Sequence, residues 1–168
     1  MKIHIILTGG TIDSYYEGSM DTAVPLKHSI VPNYLKKLKL YDQVKTTELC
    51  MKDSRSITNA DRRRIVQCIK RPPSIRYTLI THGTYTMPET ARFIERHLPA
   101  NHGKTVILTG SMIPMDGFTF SDAGFNLGYA IGNFQFAKSG VYVAMNGKLF
   151  PAKTATKIIS KGRFAVVQ

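Results

Sequence analysis

Cysteine is scarce in this 168-residue chain, and acidic residues are outnumbered. The two cysteines, Cys50 and Cys68, can form neither a disulfide framework nor a zinc site, and read as buried or half-buried reduced thiols. The five histidines, His4, His28, His82, His97 and His102, show no ligand spacing, so no metal site is expected. No apolar run approaches the roughly 20 residues that span a bilayer. The first ten residues lack the length and cleavage pattern of a signal peptide, so a cytoplasmic protein is expected. Eleven Asp and Glu stand against 23 Lys and Arg, giving a net charge of +12. That excess fits an anion-binding partner in principle. The basic residues are nevertheless scattered over Lys36–Lys39, Arg62–Arg71 and Lys153–Arg163, and no zinc-finger, RNP or helix-turn-helix signature accompanies them. A solvated basic face is the simpler reading, and no nucleic-acid or membrane partner is expected.

Several catalytic signatures are missing too. No G-x-x-x-x-G-K-[ST] loop, no G-x-G-x-x-G fingerprint and no G-x-S-x-G elbow occurs. This disfavours a P-loop protein, a dinucleotide-binding protein and a Ser-His-Asp hydrolase. If a hydroxyl is the nucleophile, its base is not expected to be a histidine.

What is present is an alternation of short apolar runs with helical segments. Ile3–Leu7, Val44–Met51, Tyr77–Ile80, Thr105–Leu108 and Val141–Met145 read as strands. Most are near-continuously apolar and β-branched, as strands covered on both faces must be. Helices are expected after Pro32 with Leu35, Leu38 and Leu40, from Thr58 with Ile65, Val66 and Ile69, from Thr86 to about His97, and from Asp122 to about Ala137. Thr86 at a cap, Pro88 in the first turn and Glu89 three after the cap form a strong start signal. Such alternation predicts βαβ units and a mostly parallel sheet in one domain over residues 1–168, with no internal repeat or linker.

In open parallel sheets, chemistry gathers beyond the carboxyl ends of the strands. Here those ends read Thr8-Gly9-Gly10-Thr11, Thr81-His82-Gly83-Thr84 and Thr109-Gly110-Ser111. Glycine lets backbones approach closely, and the hydroxyls are candidate nucleophiles or donors. Each turn alone means little; three together point to one shared site. His82 reads as a buried structural histidine.

These residues resemble the bacterial-type L-asparaginases, the glutaminase–asparaginase family. Thr8-Gly9-Gly10-Thr11-Ile12 is similar to its first signature, and Thr81-His82-Gly83-Thr84-Tyr85-Thr86-Met87-Pro88-Glu89-Thr90-Ala91 to its second. Thr109–Pro114, Ser121–Leu127 and the stretch from Val143 to Lys157 resemble three further blocks in the same order. The resemblance implies a three-layer α/β sandwich of flavodoxin-like type and an amidohydrolase without a cofactor. It would turn L-asparagine into L-aspartate and ammonia through a threonyl acyl-enzyme. By the same resemblance, Thr11 matches the primary nucleophile and Tyr16 the loop tyrosine. Thr84 and Lys157 match a second threonine and its lysine, and which threonine attacks first stays open. Ser54 matches the serine that holds the substrate α-carboxylate, and Gly10, Asp53, Gly83, Tyr85 and Ser111 complete the expected binding site.

Two departures qualify that resemblance. The family has Asp where this chain has Tyr85, and that Asp pairs with the substrate's α-ammonium. Asp53, Asp13 or Glu17 could replace it, or the substrate differs. Family chains are also about twice as long, with a smaller C-terminal domain that completes a neighbouring site. The resemblance is thus to the N-terminal domain alone, as in short single-domain asparaginases, and a homo-oligomer (dimer or tetramer) is expected. Other readings are an amidohydrolase for glutamine or another amide, a binding module of the same fold without turnover, and a basic partner-binding protein.

Overall fold

The computed structural model describes residues 1–117 and 119–167. Phe118 and Gln168 lie outside the described residues. The strands are β1 (Lys2–Gly9), β2 (Ser14–Glu17), β3 (Thr22–Pro25), β4 (Gln43–Lys52), β5 (Tyr77–Thr81), β6 (Thr105–Thr109), β7 (Gly140–Met145), β8 (Lys148–Pro151), β9 (Ala155–Ile158) and β10 (Arg163–Val166). The helices are α1 (Val31–Leu38), α2 (Asn59–Lys70), α3 (Met87–His97) and α4 (Ala123–Asn133).

The main sheet has the order β4-β1-β5-β6-β7-β8. Its first five strands pair in parallel, and β8 closes the edge antiparallel to β7. In chain order the parallel strands run 2-1-3-4-5, the flavodoxin-like arrangement, so the winding reverses between β1 and β5. Side chains alternate across the sheet. Ile6, Ile80, Val106 and Leu108 meet Ile65, Ile69, Met87, Ala91 and Ile94 of α2 and α3 on one face. Ile3, Ile5, Leu79 and Ile107 meet Val31, Leu35, Leu127 and Ile131 of α1 and α4 on the other. Two buried clusters on opposite faces make the three layers, and they explain the continuous apolar strands. Among the described residues, no helix is long and apolar enough to cross a membrane.

The helix starts follow the local chemistry. The Thr58 side chain accepts from Asp61 N–H, and the Asp61 carboxylate accepts from Thr58 N–H, so α2 opens on a complete capping box. Pro32 falls inside the first turn of α1 rather than before it, where its missing N–H costs no helical bond. The helix ends at Lys39, which turns left-handed at φ 49°, so Leu40 lies beyond it. Thr86 is the N-cap residue of α3, but its hydroxyl caps nothing there. It donates instead to the Ser54 carbonyl, at 2.7 Å. Regular α4 stops at Asn133 rather than near Ala137, and Phe136 and Ala137 continue as a turn whose N–H groups both donate to the Asn133 carbonyl. Two small hairpins, β2–β3 and β9–β10, were not expected from the sequence.

Candidate functional site

The site assembles at the winding reversal. β1 ends in Gly9 and Gly10, with φ of +83° and +87°. A Cβ on Gly10 would lie 2.3 Å from the Gly83 nitrogen, so only glycine permits this approach. A Cβ on Gly83 would in turn sit 2.7 Å from the Ser54 Cβ. Thr11, Thr84 and Ser54 are thus carried on three backbones in van der Waals contact. Further bonds lock the turns in register. Thr8 Oγ1 donates to the Thr81 carbonyl at 2.7 Å, and His82 N–H donates to the Thr109 carbonyl at 2.9 Å.

Lys157 arrives from β9, far along the chain. Its Nζ donates to Thr84 Oγ1 at 2.7 Å. Burial of the ammonium lowers the Lys157 pKa below the ordinary lysine range. Thr84 is itself buried, and its hydroxyl is 3.7 Å from Met112 Sδ. Among the described residues, none hydrogen-bonds the hydroxyl of half-buried Thr11. Ser54 is buried, and its Oγ accepts from Thr86 N–H at 3.3 Å. Ser111, one residue past Gly110, has a buried Oγ with no partner among the described residues.

His82 is fully buried. Burial pushes its pKa down to about 4, despite a 2.8 Å contact between Nδ1 and the Gly83 carbonyl. It is a neutral structural group near neutral pH, and its Nδ1 carries the proton that the carbonyl accepts.

The acidic residues take other roles. Asp13 is completely buried: Oδ1 accepts from Ser29 Oγ and Ile30 N–H, tying the Thr11 loop to the start of α1. Burial raises its pKa against the lowering effect of those bonds. Glu17 is bonded to Ser19 on the outer hairpin. Asp53 is held by Arg55, whose backbone N–H, Nε and Nη2 donate to its two oxygens at 2.8–3.1 Å. Bonding to Arg55 keeps the Asp53 carboxyl below its usual range. The Arg55 guanidinium carbon lies 5.7 Å from the centre of the Tyr85 ring. Tyr85 is 51% exposed at the mouth of the site. Tyr16, on β2, donates its phenol to Asp21 Oδ1 at 2.6 Å, a bond that raises the phenol pKa.

Several supporting residues carry no catalytic signature in the sequence. Asp122 accepts from the N–H groups of Met112 and Ile113 and from Asn126 Nδ2. Asn126 Nδ2 also donates to the Gly110 carbonyl, while its Oδ1 accepts from Asn146 N–H. Asn146 Oδ1 accepts from Phe164 N–H on β10, and Arg92 of α3 donates to the Ala155 carbonyl on β9. Together these bonds fix the hairpin that presents Lys157. Only the Ser121–Leu127 and Val143–Asn146 motif blocks hinted at them. Among the described residues, no cluster of His, Cys, Asp and Glu could hold a metal ion.

A parallel sheet wound 2-1-3-4-5, with hydroxyl-bearing turns and a half-buried lysine at its reversal, defines the class. The family described as asparaginase, N-terminal, matches residues 2–167. The glutaminase-asparaginase of Acinetobacter glutaminasificans is 32% identical over 170 residues, covering 95% of this chain and 50% of its own length. A probable periplasmic L-asparaginase of Haemophilus influenzae is 29% identical, covering 93% of this chain and 46% of its own. The solved thermostable L-asparaginase from Thermococcus kodakarensis superposes with a TM-score of 0.82 at 26% identity, over 99% of this chain and 51% of that one. The chain therefore belongs to the asparaginase family, N-terminal domain. It spans about half the length of the relatives it matches.

Proposed function

We propose that this chain carries an amidohydrolase site of the asparaginase type, cleaving the carboxamide of L-asparagine or of a four-carbon amide of the same shape. The observation that carries the reading is the 2.7 Å bond between Lys157 Nζ and Thr84 Oγ1. Burial lowers the Lys157 pKa, so a larger fraction of the amine is neutral and able to accept a proton. With Lys157 neutral, the bond reverses and Thr84 donates. Lys157 then takes the Thr11 hydroxyl proton through the Thr84 hydroxyl, while Thr11 Oγ1 adds to the amide carbon. The carbon–nitrogen bond breaks, the nitrogen leaves as ammonia with that proton, and an ester forms on Thr11. Water cleaves the ester to the free acid and restores the Thr11 hydroxyl. Backbone N–H groups beside Thr11 and Thr84, rigid through the glycine contacts, stabilise the oxyanion. Ser54 binds the substrate carboxylate and Ser111 lines the site.

Tyr16 is the weaker base, since its proton is engaged by Asp21. The cytoplasm is the compartment we propose, on the strength of two free, half-buried thiols. We also read the chain as a homo-oligomer. Gly128 and Gly132 of α4 face open space, and Phe125 and Phe136 are exposed nearby, a surface that another copy would cover.

Ammonia release from L-asparagine, L-glutamine and succinamate tests the reading. Turnover is expected in the wild type and lost in Thr11→Ala and Lys157→Met. Full turnover in Thr11→Ala would remove the nucleophile assignment, and absence of release from any amide would remove the enzyme.

A further inference from the structure

The pairing of charges around the site bears on its substrate. A free amino acid brings an ammonium as well as a carboxylate, and a desolvated ammonium needs an anionic partner. Besides exposed Asp116, which lines a groove with Tyr34 and Lys37, five carboxylates lie on the turns and loops that build the site, and each carries hydrogen bonds within the fold. Asp13 is buried with no accessible surface, its Oδ1 bonded to Ser29 and Ile30 and its Oδ2 without a partner among the described residues. Both oxygens of Asp53 accept from Arg55, through three donors. Glu17 and Asp21 are bonded on the β2–β3 hairpin to Ser19 and Tyr16. Asp122 accepts from two backbone N–H groups and from Asn126. Lys157 lies inside the site, and Arg55 stands at its mouth, holding Asp53 with Nε and Nη2 while its Nη1 makes no hydrogen bond among the described residues. Arg55 directly follows Ser54, whose backbone packs on Gly83, and its guanidinium lies over the ring of Tyr85, the neighbour of Thr84.

We infer that Arg55 and Tyr85 select an anionic carboxamide that carries no free ammonium, such as the monoamide of a four-carbon dicarboxylic acid. This rests on the amidohydrolase reading above and names the substrate class of the same site. The carboxylate of such a compound pairs with Ser54 Oγ and the outer edge of the Arg55 guanidinium, Nη1 and the second N–H of Nη2, because Nε and the first Nη2 N–H hold Asp53. The Tyr85 ring holds that guanidinium from its other side. An ammonium at the same end would meet Arg55 at close range, with Asp53 already occupied. The reaction is unchanged: the amide carbon–nitrogen bond breaks, ammonia leaves, and water returns the dicarboxylate.

The test compares kcat/KM for ammonia release from succinamate, Nα-acetyl-L-asparagine and L-asparagine in the full chain. It adds direct titration with the amine-free product, succinate, and with L-aspartate. The wild type is expected to favour succinamate over L-asparagine at least tenfold and to bind succinate more tightly than L-aspartate. Arg55→Ala removes the cation and frees Asp53, so KM for succinamate rises about tenfold and the preference for it over L-asparagine shrinks or inverts. Arg55→Lys keeps part of the preference, which a merely structural role for Arg55 would not predict. A wild type that prefers L-asparagine overturns the inference and leaves the amidohydrolase standing. If no amide is cleaved, tighter binding of succinate still upholds the anion selection while the amidohydrolase reading falls; tighter binding of L-aspartate overturns the inference.

Discussion

Gly10→Ala probes the contact on which the whole site rests. Gly10 has φ of 87° and ψ of −174°, a region open essentially only to glycine. Forcing alanine into it costs about 1–3 kcal/mol. The added methyl would also lie 2.3 Å from the Gly83 nitrogen and 2.4 Å from its Cα. Those are backbone atoms, so no rotamer change relieves the clash and one turn must move, for roughly another 1–3 kcal/mol. The sum is about 2–6 kcal/mol, and at about 2–4 °C per kcal/mol Tm falls by roughly 5–20 °C. Displacing Thr11 from Thr84 by about 1 Å also costs on the order of a hundredfold in kcat. Gly128→Ala is the control. It lies inside α4 with nothing of its own chain within 4 Å of the new methyl, so it should stabilise the single chain by about 0.5–1 kcal/mol. Urea unfolding of both variants, with ammonia release, measures the pair. A Gly10→Ala protein within about 0.5 kcal/mol of wild type and fully active would refute the reasoning, because that margin is what an innocuous surface change shows.

Lys157→Met should fold normally yet lose about 10²–10⁴-fold in kcat, the usual weight of proton transfer. The wild-type rate should rise with pH, because the neutral amine is the active form, with a midpoint below the ordinary 10.5 of lysine, and this limb should vanish in the variant. Asp61→Asn should destabilise by roughly 2 kcal/mol at neutral pH. Burial alone would raise the Asp61 pKa, but the bonds from Lys52 and Thr58 outweigh it and bring it to about 2. Because the folded pKa lies below the unfolded value, that stability is present above about pH 4 and fades as pH falls towards 2, as urea titrations from pH 7 to 2 would record. Arg92→Met leaves the Ala155 carbonyl without its donor and should cost about 1–3 kcal/mol. It should also shift the pH midpoint of the rate, since β9 carries Lys157.

The parallel strands and their helices were legible because burial on two faces leaves an unbroken apolar run, as in Ile3–Leu7 and Thr105–Leu108. The turns that gather at the winding reversal were legible for the same reason: Gly and Thr stand at fixed offsets after each run. The β9–β10 hairpin was not. Lys157, Lys161 and Arg163 interrupt any alternation, and the hairpin is held by distant partners, Arg92 and Asn146, which no local pattern announces. Asp13 was open to reading as a substrate contact because it lies two residues from Thr11. Only the fold shows that Ser29 and Ile30 draw it inward. Arg55 belongs to no motif, although its spacing of two from Asp53 was the available signal for their pairing.

The Asp53–Arg55 pair also separates stability from selectivity. Both side chains are largely exposed, 46% and 68% respectively. An exposed pair between near neighbours in sequence adds little to folding, because water and salt screen it and both side chains lose freedom. The fold is secured elsewhere, by two apolar clusters and by backbone contacts at the strand ends. Removing Arg55 should therefore leave Tm nearly unchanged. The pair's consequence is positional: it withdraws one carboxylate from the mouth of the site and sets a guanidinium over Tyr85. Arg55→Ala and Tyr85→Asp then act on opposite halves of one electrostatic choice, the first deleting a cation and the second adding an anion. Both should move the preference towards L-asparagine, with Tyr85→Asp also altering the charge beside Thr84 and Lys157. If Arg55→Ala lowers Tm by more than a few degrees while the substrate ratio stays fixed, the pair is part of the scaffold and the selectivity must come from other groups.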